Sequence, residues 1–413
     1  MRCKSTPIMT HHDRMLAAIR RQPTDEIPWA PRLDLWYIAQ RARGTLPKHL
    51  EGLNIAQVAE AFGVGCHSQR ADFTKSRVPE DFILRGLGLD IHPDLPYRLE
   101  LRGMPVDFCK EGDAFRSRFH TSKGEVYTSL AWSESMKRNG ITLPFVESFA
   151  IKSPDDFDAI AEVFEHIEVI PTPENYAAFH KSIGDQGLAI ANGVIGASPM
   201  HLIYHELISQ EDFIYLYMDD PEGLTQLAKR MEPLFEKILD AVVGCKAEGV
   251  YWGANYDDNL TWPPFFEAEI APWLKKIATR LHGCDKFLLT HCDGENQRLL
   301  PLYPDCNFDV ADSICPKPMT ICSLKEVRDG MGPKVTIWGG LCSVAFLDNS
   351  MSDASFEEHL DNTFAAIGPG DRTILGVSDN VPPDANLARL ERVKERIHAF
   401  GPIGAKQVPA DAL

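Results

Sequence analysis

No stretch of eighteen or more apolar residues occurs in the 413-residue chain, so the sequence offers no helix that would span a membrane. The segment Met1 to Arg21 is polar, with His11, His12 and several cations. It lacks the apolar stretch and small-residue cleavage site of a secretory signal. Low-complexity linkers are also missing. Cations are in deficit: 42 Lys and Arg stand against 59 Asp and Glu, a formal net charge of −17. That balance disfavours nucleic acid and anionic membrane as partners. Ten cysteines are scattered without a regular framework. A chain this long does not need disulfides to fold, so reduced thiols in a cytoplasmic protein are expected.

What is present is a repeat of short apolar runs, each followed by an amphipathic helix. The runs are Leu188–Ala191, Gly249–Gly253, Lys286–His291, Phe308–Ala311, Val335–Gly339 and Thr373–Val377. Asp220-Pro221-Glu222 opens one helix, whose apolar face runs through Leu224, Leu227, Met231, Leu234 and Ile238. Pro264–Leu281 and Asp353–Ala366 predict two more. Apolar strands alternating with helices predict a parallel sheet covered on both faces. Two earlier runs, Ile27–Ala30 and Phe62–Cys66, bring the strand count to eight. The expected fold is therefore a (β/α)8 TIM barrel with an N-terminal helical segment. Tyr97–Trp132 alternates like an antiparallel meander, with turns at Lys110–Asp113 and Ser122–Gly124, and is read as a small β insertion. One domain, 1–403, with a disordered tail over 404–413, completes the expectation.

A parallel barrel builds its active site at the C-terminal ends of its strands. Those ends carry His291-Cys292-Asp293-Gly294, Gly340-Leu341-Cys342-Ser343, Asn255-Tyr256-Asp257-Asp258 and Ser378-Asp379-Asn380. His291 and Cys342 are the sharpest pair, since imidazole and thiolate both bind zinc. Cys292 and Asp293 are each a candidate third ligand, and strand alternation favours Asp293 for sharing a face with His291. The bland alternative is a hydrogen-bonded His291 and a Cys342 that merely fills core. His201 and His205, four apart, share a helix face and suit a substrate contact better than a metal. Cys315 and Cys322 flank Pro316-Lys317-Pro318 without a matching second pair, so inert thiols are expected there. Trp36 and Tyr37 follow the first strand and either wall an apolar pocket or pack in the core.

Taken in order, several segments carry a resemblance. They are His12-Asp13-Arg14-Met15-Leu16, Asp25-Glu26-Ile27-Pro28-Trp29, Ser153-Pro154-Asp155-Asp156-Phe157, Asp220-Pro221-Glu222, the His291–Gly294 strand end, Gly339-Gly340-Leu341-Cys342 and Asp379-Asn380-Val381-Pro382-Pro383. Over nearly its whole length the chain resembles the uroporphyrinogen decarboxylase superfamily. The haem-pathway decarboxylase has an arginine-rich segment after its first strand. Here Trp29–Tyr37 holds one arginine, a poor grip for a substrate of many carboxylates. The branch of corrinoid-dependent methyltransferases and O-demethylases is the better match.

That resemblance implies zinc held by His291 and Cys342, with Asp293 standing where the family's His-x-Cys motif has cysteine. It implies a zinc-dependent methyltransferase that moves a methyl group from a small methylated substrate, such as a methoxylated aromatic, to the cobalamin of a separate corrinoid protein, and a homodimer. Asp257, Asp258 or Asp379 would orient substrate or handle the proton. Trp36, Tyr37, Asn255, Tyr256 and His205 would line the substrate. The alternatives are a metal-free decarboxylase of another carboxylated substrate, and a barrel that binds a corrinoid or small molecule without turnover.

Overall fold

The structure, a computed structural model, describes residues 9–68, 78, 81–89 and 92–404. Of the expected tail only Gly404 falls among them. The fold is a mixed α/β arrangement built on a six-stranded parallel sheet. Among the described residues no helix is long and apolar enough to cross a membrane.

The antiparallel part comes first in the chain and is larger than expected. Strand β1 (Tyr97–Leu101) does not join the meander. The meander is β2 (Val106–Glu111), β3 (Ala114–Thr121), β4 (Gly124–Ala131) and β5 (Phe145–Ser148), so it runs on to Ser148. The two expected turns lie between its first three strands. Strand β1 pairs instead with β6 (Ile167–Pro171), with Leu99 opposite Val169. Leu99 and Ile167 are buried apolar residues that tie this ribbon to the main core.

The parallel sheet follows: β7 (Ala191–Asn192), β8 (Gly249–Tyr251), β9 (Phe287–His291), β10 (Val310–Ile314), β11 (Thr336–Cys342) and β12 (Thr373–Ser378), neighbours in chain order. Every residue of β8 to β12 is buried. That burial on both faces is why these strands read as continuous apolar runs. Leu188, Ile190, Tyr251, Leu289, Val310, Trp338 and Ile374 gather on one face with Met15, Ala18 and Ile19 of the helix His11–Ile19. Burying each large apolar side chain contributes about 1.5–3 kcal/mol. The opposite face packs on the long helices, including Pro221–Gly244, whose first turn is capped by Asp220 accepting the Gly223 N–H at 3.0 Å.

The two early runs do not form strands. Each is reduced to a single bridge, Trp29 with Leu375 and Cys66 with Gly187. The Gly65 N–H also donates to the Trp29 carbonyl, and that of Ile190 to Ser68. Prolines 28 and 31 bracket Trp29 and remove the donors a longer ladder needs. Phe62 caps the helix Ile55–Ala61, which leaves little chain for a strand before Cys66. The helix expected over Pro264–Leu281 is broken into Pro263–Phe265, a π-helical turn Phe266–Ile270 and Ala271–His282. Pro272 has no N–H to close a regular turn there. Asp353–Ala366 is helical as expected.

Candidate functional site

Strands β9 and β10 place the centre of the site. Asp312 lies in register with His291 on one side and Trp338 on the other. His291 Nδ1 meets Asp312 Oδ2 at 2.6 Å, with both side chains almost wholly buried. His67 Nε2 stands 3.6 Å from the other oxygen of Asp312. Burial alone would raise the Asp312 carboxyl. The hydrogen bonds and charges of His291 and His67 outweigh it and hold the group far below the usual carboxylate range. An ionised Asp312 only accepts, so it fixes the hydrogen on Nδ1 of His291. His291 Nε2 then faces Asp379, whose Oδ1 is 3.8 Å away.

A guanidinium balances these carboxylates. Arg32 is 5% exposed. It grips Asp34 with Nε at 2.9 Å and Nη2 at 3.1 Å, and its Nη1 lies 3.1 Å from both oxygens of Asp379. Burial would discharge it, but Asp34, Asp379 and Asp312 keep it firmly cationic. Ser313 adds a hydrogen bond to Asp379 at 3.3 Å. Asp293 behaves in the opposite way to Asp312. Its carboxyl is pushed up, first by burial and then by the charges of Asp379 and Asp312, against a lowering by His291. The site thus pairs an ionised, imidazole-bound carboxylate with a carboxyl biased toward its protonated form. Such a division is what acid–base chemistry requires.

Cys342 is not brought to His291. Trp338 faces the inner cluster, and simple alternation would send Cys342 the same way. Gly339 and Gly340 intervene at φ +136° and +92°. A side chain on Gly340 would point at Leu324 of the helix Leu324–Gly330, on the outer side. Cys342 lies two residues on, at the end of β11. Its Sγ donates to the Pro316 carbonyl at 2.9 Å and lies 3.8 Å from Cys315 Sγ. The hydrogen bond from Cys315 lowers the Cys342 thiol and raises that of Cys315. Among the described residues no three His, Cys, Asp or Glu side chains are grouped as a metal ion requires. His291 is oriented as a metal-bound imidazole would be, but the set His291, Asp293, Cys342 does not fit a zinc ion.

The other expected residues divide. Asp379 joins the centre. Asp257 and Asp258 do not: they accept the backbone N–H of Glu295 and Arg298 and staple the loops after β8 and β9. Asn255 bonds the His291 carbonyl through its N–H and His205 Nε2 through its side chain, at 3.1 and 3.0 Å. Tyr256 is buried on the outer face, its hydroxyl on Thr290. Cys292 is also buried and bonds its thiol to the Thr290 carbonyl. Trp36 and Tyr37 lie in the helix Asp34–Arg43, whose apolar face packs them into the core. Trp36 meets Phe62 edge-on, and the Tyr37 hydroxyl bonds the Leu53 carbonyl. Sequence reasoning missed Asp312, His67, Asp34 and the role of Arg32. One signal was available: Asp312 directly follows the apolar run Phe308–Ala311, and a buried strand that continues through it tolerates the charge only with a partner.

No protein-family model matches the chain, and no curated protein does. Among solved structures, the fold is similar to that of a methyltransferase from Methanosarcina mazei. The TM-score is 0.52 and the sequence identity 14%, covering 95% of this chain and 99% of that one. At that identity the likeness bears on the fold alone.

Proposed function

We propose that this chain is a methyltransferase that passes a methyl group from a small methylated compound to the corrinoid of a separate carrier protein. The observation that carries the proposal is Asp293, a carboxyl with a raised pKa held beside the fixed His291–Asp312 pair at the sheet's C-terminal end. Removing a methyl group leaves its heteroatom as a poor, anionic leaving group, and proton donation to that atom lowers the barrier. Asp293 is the donor in this reading. Arg32 and Ser313 hold Asp379 in place, and Asp312 holds the tautomer of His291. The carrier's corrinoid supplies the nucleophilic cobalt that takes the methyl group. Leu260, Met319 and Ile321 are large apolar side chains left exposed on the loops after β8 and β10, at the same end as His291. They suit a docking face for the carrier. No step is assigned to zinc, because the implied ligands do not converge.

The same reading completes the sheet as a (β/α)8 barrel, one domain with the meander inserted. The bridges of Trp29 to Leu375 and Cys66 to Gly187 support it, since they join the first, second, third and last strand positions. A homodimer belongs to the proposal and is checked by light scattering. The decarboxylase reading is less well supported. It needs cations for substrate carboxylates, and Arg32 is already committed to Asp34 and Asp379.

The test is a panel of methyl ethers, methylamines and methyl thioethers, each incubated with the protein and cob(I)alamin and followed spectroscopically. Methylation of cobalt by wild type, with an Asp293→Asn rate lower by about 10²-fold or more, is the expected result. Cobalt methylation by none of the donors, or release of carbon dioxide from a carboxylated panel, would overturn the proposal.

A further inference from the structure

A second imidazole stands near the first and is oriented the same way. His205 lies on the π-helical turn Ile203–Leu207. Such wide turns recur at functional sites. Its Nδ1 is 2.8 Å from Glu206 Oε1, and Glu206 also receives the Arg85 guanidinium. Burial would raise the Glu206 carboxyl, yet the charges and hydrogen bonds of Arg85 and His205 outweigh it and bring it down to about 2. An ionised carboxylate only accepts, so a hydrogen sits on Nδ1, and Nε2 points away from the carboxylate. That Nε2 meets the Asn255 side-chain amide at 3.0 Å.

The same Asn255 donates its backbone N–H to the His291 carbonyl, so one residue links the His205 ring to the backbone at the end of β9. Among the described residues, the charged and titratable groups facing His205 are Glu206, Arg85 and His201, whose ring centroid is 5.7 Å away. His201 is fully buried, and burial keeps it neutral. It receives the Ala197 N–H on Nδ1. His205 differs in keeping 21% of its side chain exposed. His205 thus combines a carboxylate partner at Nδ1 with a partly exposed ring whose Nε2 meets the Asn255 amide.

We propose that His205 is a second acid–base residue of the strand-end site and selects substrates that carry an N–H or O–H besides the methylated heteroatom. Its Nε2 takes that proton. The X–H bond breaks, the N–H bond forms, and the electron pair stays on the substrate atom. The resulting imidazolium is stabilised by Glu206, and the proton returns when product leaves. This inference rests on the strand-end site being the site of methyl transfer.

The experiment compares wild type, His205→Gln and His205→Ala in the cob(I)alamin assay. The donors are paired: methyl ethers that bear a free hydroxyl, and the same ethers with that hydroxyl replaced by hydrogen. Wild type is expected to prefer the hydroxylated member. His205→Gln is expected to lose that preference, to lower kcat by about 10²–10³-fold and to flatten the acid limb of the pH profile. Added imidazole is expected to restore part of the His205→Ala rate. Equal use of both donors by wild type, or a variant with an unchanged pH profile and no response to imidazole, would overturn the inference. Should wild type methylate cobalt from no donor, the methyl-transfer reading fails on its own. His205 is then judged by histidine ¹⁵N NMR, with His205→Gln giving the assignment. A hydrogen on Nδ1 that is lost in Glu206→Gln supports the oriented pair, and a hydrogen on Nε2 sinks it.

Discussion

Replacing Asp312 by Asn tests the centre of the site most sharply. The change keeps the shape and one acceptor but removes a charge that is 3% exposed. Two interactions weaken together, the 2.6 Å bond from His291 and the 3.6 Å contact with His67. A hydrogen bond to a charged group contributes about 1.5–3 kcal/mol. Only the His291 contact is at full hydrogen-bonding distance, so a loss of roughly 2–3 kcal/mol is expected. Arg32 also loses one of the three carboxylates that keep it charged. The amide nitrogen can donate, so it no longer compels the hydrogen onto Nδ1 of His291, and the ring is free to present the wrong tautomer. Methyl transfer should fall by about 10²–10⁴-fold, with the melting temperature down by a few degrees. The assays are cob(I)alamin methylation and thermal unfolding on the same preparation. Asp312→Glu serves as the control that keeps the charge. An Asp312→Asn protein within about threefold of wild type would refute the idea that this carboxylate sets the state of His291.

Cys342→Ala should leave the metal content of the purified protein unchanged, because its thiol serves the Pro316 carbonyl and Cys315; a loss of zinc measured by mass spectrometry would restore Cys342 as a ligand. Asp293→Asn should abolish turnover yet stabilise the fold at neutral pH. The raised Asp293 carboxyl favours folding below its unfolded value of 3.8 and loses that benefit as pH rises through its folded value, so the variant's advantage in urea denaturation should grow from pH 4 to pH 8. Glu206 is the reverse case, depressed from 4.5 to about 2. Its contribution, roughly 3 kcal/mol, is present above pH 4.5 and lost as pH falls toward 2, and Glu206→Gln should flatten that acid limb of stability. Gly339→Ala should destabilise markedly, since its added carbon would sit 2.8 Å from the Ile314 backbone nitrogen at a φ of +136°; an unfolding midpoint equal to wild type would contradict the need for glycine at this point of β11.

What the sequence settled by itself was the alternation of elements. Four of the six later strands, β8, β9, β11 and β12, overlap the apolar runs closely, and the helix Asp353–Ala366 has the bounds its pattern predicts. Local physics suffices there: strands buried on both faces must be apolar, and an amphipathic period needs no distant partner. It also marked His291, Asn255 and Asp379 as polar groups at strand ends, and His205 as one on a helix face. The sequence could not decide which way a side chain turns once alternation fails. Cys342 ends among the Pro316 carbonyl and Cys315, and the prolines beside Trp29 cut an expected strand to one bridge. Helix packing alone buries Trp36 and Tyr37. The partners of His291 are likewise a tertiary result. Asp312 lies 21 residues away and is brought beside it by the register of two parallel strands. Arg32 reaches Asp379 across 347 residues. Burial fixes the charge of each group, and burial exists only when the sheet and its helices have closed around them.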